Sequence, residues 1–232
     1  MRSGQILSEY TLNKAMKPTS APDSSFPSRP RLPAEDRRSQ LIAAALEIFA
    51  EQGFHGTPTR ELARHAGVSE ALVFHHFPTK EALIHAMIDA LGFKEQLAMM
   101  EQHLVRIPPR DALVRLAEQF LTRLRDEPGI FRVVFSGLVE TPHLAGEFYR
   151  NFLSRLLELE TRLFERAYAE RAARTGAAPR SHRDLAVVAR SFHGSLLFYN
   201  VAAAVARVEK LPSDPAALAA AIVNIYLPED ES

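Results

Sequence analysis

The 232-residue sequence contains no cysteine and no tryptophan. Without cysteine the chain has no disulfide, no thiolate metal ligand and no cysteine nucleophile, which is consistent with a reducing compartment. The first residues, MRSGQILSEY, lack an apolar signal core, and no stretch approaches the roughly 18 uninterrupted apolar residues that a membrane span needs. We therefore expect a cytoplasmic protein with no membrane partner.

The sequence also lacks an excess of charge of either sign. It has 28 basic and 28 acidic side chains, so its formal net charge is zero, and the overall charge indicates neither a nucleic acid nor a membrane as partner. Its hydrophobic content of 47% is ample for a buried core, and its length suits one large or two small domains.

Alternating strand patterns and internal repeats are missing as well. After Arg110 the apolar residues recur at helical spacing, and the breaks fall at proline and glycine, as at Pro128 and Gly129. The pattern predicts an all-α protein. The expected helices in this part cover about 111–126, 129–139, 143–174, 182–209 and 214–226.

Residues 1–33 hold five of the 15 prolines among many serines, without a sustained apolar period. Such a segment buries too little surface to offset its ordering entropy, so we expect disorder. Its five basic and two acidic side chains give a net charge of +3. The segment is either a basic arm that contacts DNA or an inert tail, and Met16 is an alternative start.

Residues 34–52 carry an apolar stripe at helical spacing, and Gly53 is expected to end this helix. Another helix is predicted to begin at Thr79 and to continue past Gly92 toward His103. Pro108 and Pro109 would end it.

Between these helices the sequence predicts two shorter ones. Thr57 is a candidate N-cap for the first, with Pro58 at its first position. Gly67 can take a left-handed conformation at its end, and Ser69 is a candidate N-cap for the second. Val73 and Phe77 lie four residues apart and are expected to face the core. A helix, a turn with glycine and a short helix together are typical of major-groove DNA readers.

The block from Gly53 to Leu83 reads GFHGTPTRELARHAGVSEALVFHHFPTKEAL. It resembles the DNA-binding domain of TetR-family transcriptional regulators in many positions, in order and spacing. The resemblance covers the amino-terminal third. It implies a three-helix, TetR-type helix-turn-helix DNA-binding domain at 34–95 and a helical ligand-binding and dimerisation domain at 96–232.

The resemblance also implies which residues contact DNA. Phe74 stands where the family usually has tyrosine, Leu72 replaces a frequent threonine, and Glu70 replaces a frequent lysine. Arg60 matches a long polar side chain that contacts phosphate or a base edge, and Lys80 a lysine that contacts phosphate. The implied DNA-binding residues are Thr57, Thr59, Arg60, Ser69, Glu70, Ala71, Leu72, Phe74, His75, His76 and Lys80.

The net charge of the predicted DNA-binding domain opposes nonspecific binding to DNA. Residues 34–95 contain six basic and nine acidic side chains, a net charge of −3. We therefore expect weak nonspecific affinity, with phosphate contacts concentrated at Arg60, Lys80, helix N-termini and the arm.

Aromatic residues are frequent in the predicted carboxy-terminal domain, where they could line a cavity for a small apolar ligand or fill a core. The family's last two major helices form a dimer interface, and small residues in 182–226 fit that role or packing within one subunit. The candidate ligand-binding residues are Phe131, Phe135, Phe152, Phe192, His193 and Tyr199.

No pattern supports catalysis, a cofactor or a metal. His55, His65, His75 and His85 are ten residues apart, which is not a whole number of helical turns. The His182–Leu185 run resembles the start of a kinase catalytic loop, but its required asparagine and glycine-rich loop are missing. We expect a homodimeric repressor released from a palindromic operator by a small molecule. The alternative is a helical binding protein or enzyme with a non-functional DNA-binding domain.

Overall fold

The computed structural model describes residues 33–54, 56–176, 178, 180–206 and 214–228. Their regular structure is helical throughout, and the predicted all-α class is confirmed. The chain divides into two compact units between Leu91 and Gly92, four residues before the boundary expected from the sequence. Except for Pro33, the predicted arm lies outside the described residues.

The amino-terminal unit contains four helices around one core. They are α1 (Ala34–Gln52), α2 (Thr59–His65), α3 (Glu70–His76) and α4 (Lys80–Ala90). The apolar stripe of α1 faces inward and packs against α2 and α4. The largest fully buried side chains of these helices are Leu41, Ile48, Phe49, Leu62, Leu83, Ile84 and Met87.

The turn between α2 and α3 forms as the sequence predicts. Gly67 has a φ of 67°, a left-handed conformation that other residues adopt only at a cost. The Val68 amide donates to the Ala63 carbonyl at 2.9 Å, and the Ser69 hydroxyl accepts from the Leu72 amide at 3.2 Å. Ser69 is therefore the N-cap of α3.

The long helix predicted from Thr79 past Gly92 is wrong, because the chain forms two helices there. The N-cap at Thr79 is confirmed, since its hydroxyl accepts from the Ala82 amide at 3.1 Å. However, α4 ends at Ala90, Gly92 takes a left-handed φ of 63°, and a new helix starts at Phe93. The apolar pattern continues across this break and does not reveal it.

The carboxy-terminal unit begins with α5 (Phe93–Leu104), α6 (Pro109–Asp126) and α7 (Pro128–Glu140). It continues with α8 (Pro142–Phe148), a π-helical turn (Tyr149–Leu153), α9 (Ser154–Thr175), α10 (His182–Ala206) and α11 (Pro215–Tyr226). The single helix predicted at 143–174 is thus interrupted by the π-helical turn. Among the described residues, no helix is both long and apolar enough to cross a membrane.

The core of this unit lies between α6, α9, α10 and α11. Phe164 and Phe192 are fully buried, with ring centroids 5.4 Å apart in an edge-to-face arrangement. The Tyr226 ring packs against Phe192 at 5.8 Å, and the Tyr168 hydroxyl donates to the Tyr226 carbonyl at 2.6 Å. These contacts fix α11 against α9 and α10.

Candidate nucleic-acid interface

Helix α3 lies on the surface of the amino-terminal unit with one side buried. Val73 is 1% exposed and Phe77, just after the helix, is 3% exposed, as their spacing predicts. Glu70, Ala71 and His75 are exposed, and Phe74 is 47% exposed. The side chains implied in base reading therefore lie on the open side of a short helix that the core holds from behind.

Thr57 does not have the role predicted for it. Its side chain is fully buried, and its hydroxyl donates to the Gly53 carbonyl at 2.9 Å, which closes the loop after α1. Helix α2 starts at Thr59, and Pro58 occupies the N-cap position. The N-cap role and the DNA contact expected of Thr57 are therefore corrected to a structural role.

Arg60 is an exposed cation in the first turn of α2. Within the described part of the chain it makes no hydrogen bond or ion pair. Arg64, one helical turn later, pairs with Glu61 at 3.4 Å. Arg60 is thus available to an anion or a base edge, whereas Arg64 is already engaged. Thr59 is partly exposed beside Arg60.

Lys80, at the start of α4, is turned toward its own unit. Its ammonium donates to the Phe54 carbonyl and lies 4.2 Å from the centroid of the Phe54 ring. The Phe49 ring is 5.5 Å from the same ammonium. The lysine implied in phosphate contact therefore also links α4 to the segment after α1, a role that the sequence did not reveal.

The structure brings several of the implied residues together and leaves others apart. Thr57, Thr59, Phe74 and Lys80 line one small cleft with core residues of α1, α2 and α4. Glu70, Ala71 and His75 do not line it.

A side-chain hydrogen bond also links α1 to α2. The Gln52 amide donates to Glu61 at 3.2 Å, between the end of α1 and the first turn of α2.

The candidate ligand-binding residues are spread over three elements. Phe131 and Phe135 stack on α7 with centroids 5.7 Å apart, and Phe152 in the π-helical turn lies 5.1 Å from Phe93. On α10, Tyr199 is 39% exposed, while Phe192 is a fully buried core residue. Phe192 therefore fills the core here, as the alternative interpretation of these aromatics expected.

His193, the remaining candidate, is paired with a buried carboxylate that the sequence did not single out. Its Nδ1 lies 3.0 Å from Oε1 of Glu160, which is fully buried on α9. Burial raises the pKa of Glu160, and the hydrogen bond with His193 acts in the opposite direction. The available signal was helical spacing, because Glu160 lies three or four residues from Leu156, Leu157, Leu163 and Phe164 and so on the apolar face of this helix.

The described histidines of the ten-residue series form separate contacts. His65 lies 3.1 Å from Glu47, and His85 lies 3.1 Å from Asp89. The ring of His75 packs against that of His76 at 5.3 Å. His55 lies outside the described residues.

The family model described as "Bacterial regulatory proteins, tetR family" matches residues 41–87. The transcriptional activator FasR of Mycolicibacterium smegmatis is 41% identical over 58 residues, which are 25% of this chain and 26% of FasR. A transcriptional repressor of Mycobacterium tuberculosis is 39% identical over 72 residues, covering 27% of this chain and 38% of the repressor. The chain therefore matches only about a quarter to two-fifths of the length of these relatives.

The fold is shared over much more of the chain. The regulator FadR of Bacillus subtilis, solved in complex with stearoyl-CoA, superposes with a TM-score of 0.60 at 17% identity, covering 81% of this chain and 96% of FadR. At this identity the likeness shows the fold alone, an all-α architecture with an amino-terminal helix-turn-helix. The family match at 41–87, the relatives and this shared fold all indicate a transcriptional regulator of the TetR family.

Proposed function

We propose that the chain is a cytoplasmic, non-enzymatic transcriptional regulator that reads double-stranded DNA with α3. The observation that carries this proposal is the division of α3 into two sides. Val73 and the adjacent Phe77 hold it to the core, while Ala71, Phe74 and His75 are open to a groove. A short helix presented in this way suits the major groove, and the family match spans it.

The charges of the amino-terminal unit support selective rather than nonspecific binding. The net charge of −3 over 34–95 repels the phosphate backbone at long range. Attraction then depends on a few placed groups, of which Arg60 is exposed and unengaged within the described chain. Glu70 at the start of α3 could accept from a cytosine amino group, so its position is suited to reading sequence.

We propose a homodimer formed through α10 and α11. Val187 and Phe198 are eleven residues apart on α10, about three helical turns, and are 60% and 72% exposed. Ile225 on α11 is 73% exposed. Large apolar side chains left open on two neighbouring helices are suited to covering by a second copy. Such a dimer would place two α3 helices about 34–36 Å apart on a palindromic operator.

We further propose that a small molecule binds the carboxy-terminal unit and releases the operator, so that the regulator acts as a repressor. An effector shifts such an equilibrium only through its different affinities for the two states. The FadR structure with stearoyl-CoA belongs to the same fold and supports a lipophilic effector. The relatives named above include one activator and one repressor. Whether the protein represses or activates transcription therefore has to be measured as well as the effect of the small molecule.

Selection of bound sequences from random DNA with the full-length protein tests the DNA-reading proposal. We expect an enriched palindrome whose half-sites are one helical turn apart, or a multiple of it. Transcription from that operator, measured with and without the protein, gives the direction of control. Recovery of no enriched sequence would contradict the proposal and favour a helical binding protein or enzyme with a non-functional DNA-binding domain.

A further inference from the structure

One buried polar atom stands out in the carboxy-terminal unit. Oε2 of Glu160 is inaccessible to solvent and makes no hydrogen bond, and among the described residues it is the one buried side-chain nitrogen or oxygen in that condition. The other carboxylate oxygen, Oε1, is held by Nδ1 of His193 at 3.0 Å. The carboxyl group is therefore held at one oxygen and lacks a hydrogen-bond partner at the other.

Three hydroxyl groups of α9 and α10 are committed to other partners. The Thr161 hydroxyl, on the next residue, donates to the Leu157 carbonyl at 2.7 Å. The Tyr168 hydroxyl donates to the Tyr226 carbonyl, and the Ser195 hydroxyl lies 2.6 Å from the Tyr226 hydroxyl. None of these groups serves Oε2.

The surroundings of the pair are apolar. Leu159 and Leu163 on α9 are each 1% exposed, and Leu196 on α10 is fully buried. The Phe120 ring of α6 lies 5.3 Å from the His193 ring. An unsatisfied polar atom in such a place destabilises the folded state, and more strongly if it is charged. Folded proteins contain few buried polar atoms without a hydrogen bond, so the unsatisfied Oε2 of Glu160 requires an explanation.

We propose that Glu160 and His193 form the polar anchor of the effector site, and that the effector is a lipophilic molecule whose hydroxyl group binds Oε2. This inference rests on the proposed function, in which the carboxy-terminal unit binds a small molecule. A hydroxyl donates to a carboxylate and accepts from a carboxylic acid, so it satisfies Oε2 in either protonation state. His193 acts as a positioning residue that holds Oε1 and leaves Oε2 for the ligand.

The test uses the full-length protein and two matched series of probes, straight-chain primary alcohols and alkyl chlorides of the same lengths. Dissociation constants are measured by titration calorimetry. We expect the alcohols to bind at least about tenfold more tightly than the chlorides, because a chloride leaves Oε2 unsatisfied. Glu160→Leu should abolish this preference, whereas Glu160→Gln should retain part of it, since its amide still forms hydrogen bonds.

Glu165→Leu is the matched control. Glu165 pairs with His182 at 2.6 Å on the same two helices, but this second pair is exposed. The control should keep the full preference for alcohols. Circular dichroism verifies that the variants fold, and the Gln variant remains informative if the Leu variant does not fold.

Equal binding of the two series to the wild-type protein, binding of neither, or an unchanged preference in Glu160→Leu would each overturn the inference. Operator selection with the same protein preparations distinguishes failure of the hydroxyl anchor from failure of the proposed function. A protein that selects its operator but shows no alcohol preference refutes the hydroxyl anchor alone. A protein that selects no operator refutes the proposed function.

Discussion

The Lys80 ammonium lies 4.2 Å from the centroid of the Phe54 ring and donates a hydrogen bond to the Phe54 carbonyl. This contact fastens the start of α4 to the segment that connects α1 to α2. Arg38 lies over the Phe77 ring at 5.2 Å and similarly links α1 to the end of α3. Two cations thus help to hold the helix-turn-helix in position from inside the unit.

Replacing Lys80 with alanine should lower stability and DNA affinity together. Loss of the hydrogen bond and the cation–π contact should cost about 1–2 kcal/mol in the free energy of unfolding of the amino-terminal unit. Operator and random DNA should weaken alike, because the contact implied for Lys80 is with phosphate. Denaturant unfolding and binding titrations check this, with Lys94→Ala, an exposed lysine on α5, as control. Unchanged stability would show that the Phe54 contact contributes nothing.

Arg60→Ala should weaken operator binding and also relax sequence preference. A bidentate contact with guanine is worth about 1–3 kcal/mol of discrimination, so roughly fivefold to 150-fold of operator preference should be lost. Arg64→Ala, on the same helix but paired with Glu61, should alter preference little. Competition titrations with mutated operators measure both variants. If the Arg60→Ala protein kept the wild-type sequence preference, Arg60 would not contact a base.

The helix-turn-helix was predictable because its signals are local. Ser69, Gly67 and Thr79 each act within three or four residues, and Val73 and Phe77 follow from helical spacing. Contacts between distant residues were not predictable in this way. Lys80 reaches Phe54 across 26 residues, and no spacing rule connects them.

Two local predictions failed because another geometry was available to the same residue. The Thr57 hydroxyl binds the Gly53 carbonyl behind it instead of capping α2 ahead of it. Gly92 adopts a left-handed conformation within an apolar pattern that reads as one helix. In the carboxy-terminal unit, helical structure was predictable, but the π-helical turn was not, and the burial of Glu160 depends on how α6, α9 and α10 pack together.

Removal of residues 1–33 should reduce the salt dependence of DNA binding. The segment carries a net charge of +3, and each phosphate contact that it makes adds about 0.9 to the slope of log affinity against log salt concentration. Titrations of full-length and 34–232 protein at several salt concentrations measure this difference. Identical affinities and slopes would show that the segment is an inert tail.

Phe198→Glu should convert the proposed dimer into monomers and weaken operator binding. Phe198 is 72% exposed on α10, so the substitution leaves the core of one subunit intact and places a charge in the expected interface. Phe135→Glu on α7, where the side chain is 40% exposed, is the control and should remain dimeric. Sedimentation equilibrium reports the mass. A Phe198→Glu protein with unchanged mass would exclude this surface from the interface.

The exposed pair between His182 and Glu165 should titrate as a unit. The hydrogen bond with Glu165 raises the pKa of His182, so the stabilisation from this pair is complete below the ordinary histidine pKa of about 6.5. It is lost as pH rises through the raised value in the folded protein. Glu165→Gln should return the His182 pKa toward the ordinary value, as followed by NMR titration of the imidazole signals. An unaltered titration in the variant would contradict this assignment.

The most direct test of the DNA-reading account is hydroxyl-radical footprinting of the full-length protein on its selected operator. Two recognition helices related by symmetry predict two protected regions on one face of the duplex, about 34–36 Å apart, and wild-type protein should show both. Protection of a single region, or of none, would contradict the proposal that α3 and its twin in a second subunit read the major groove.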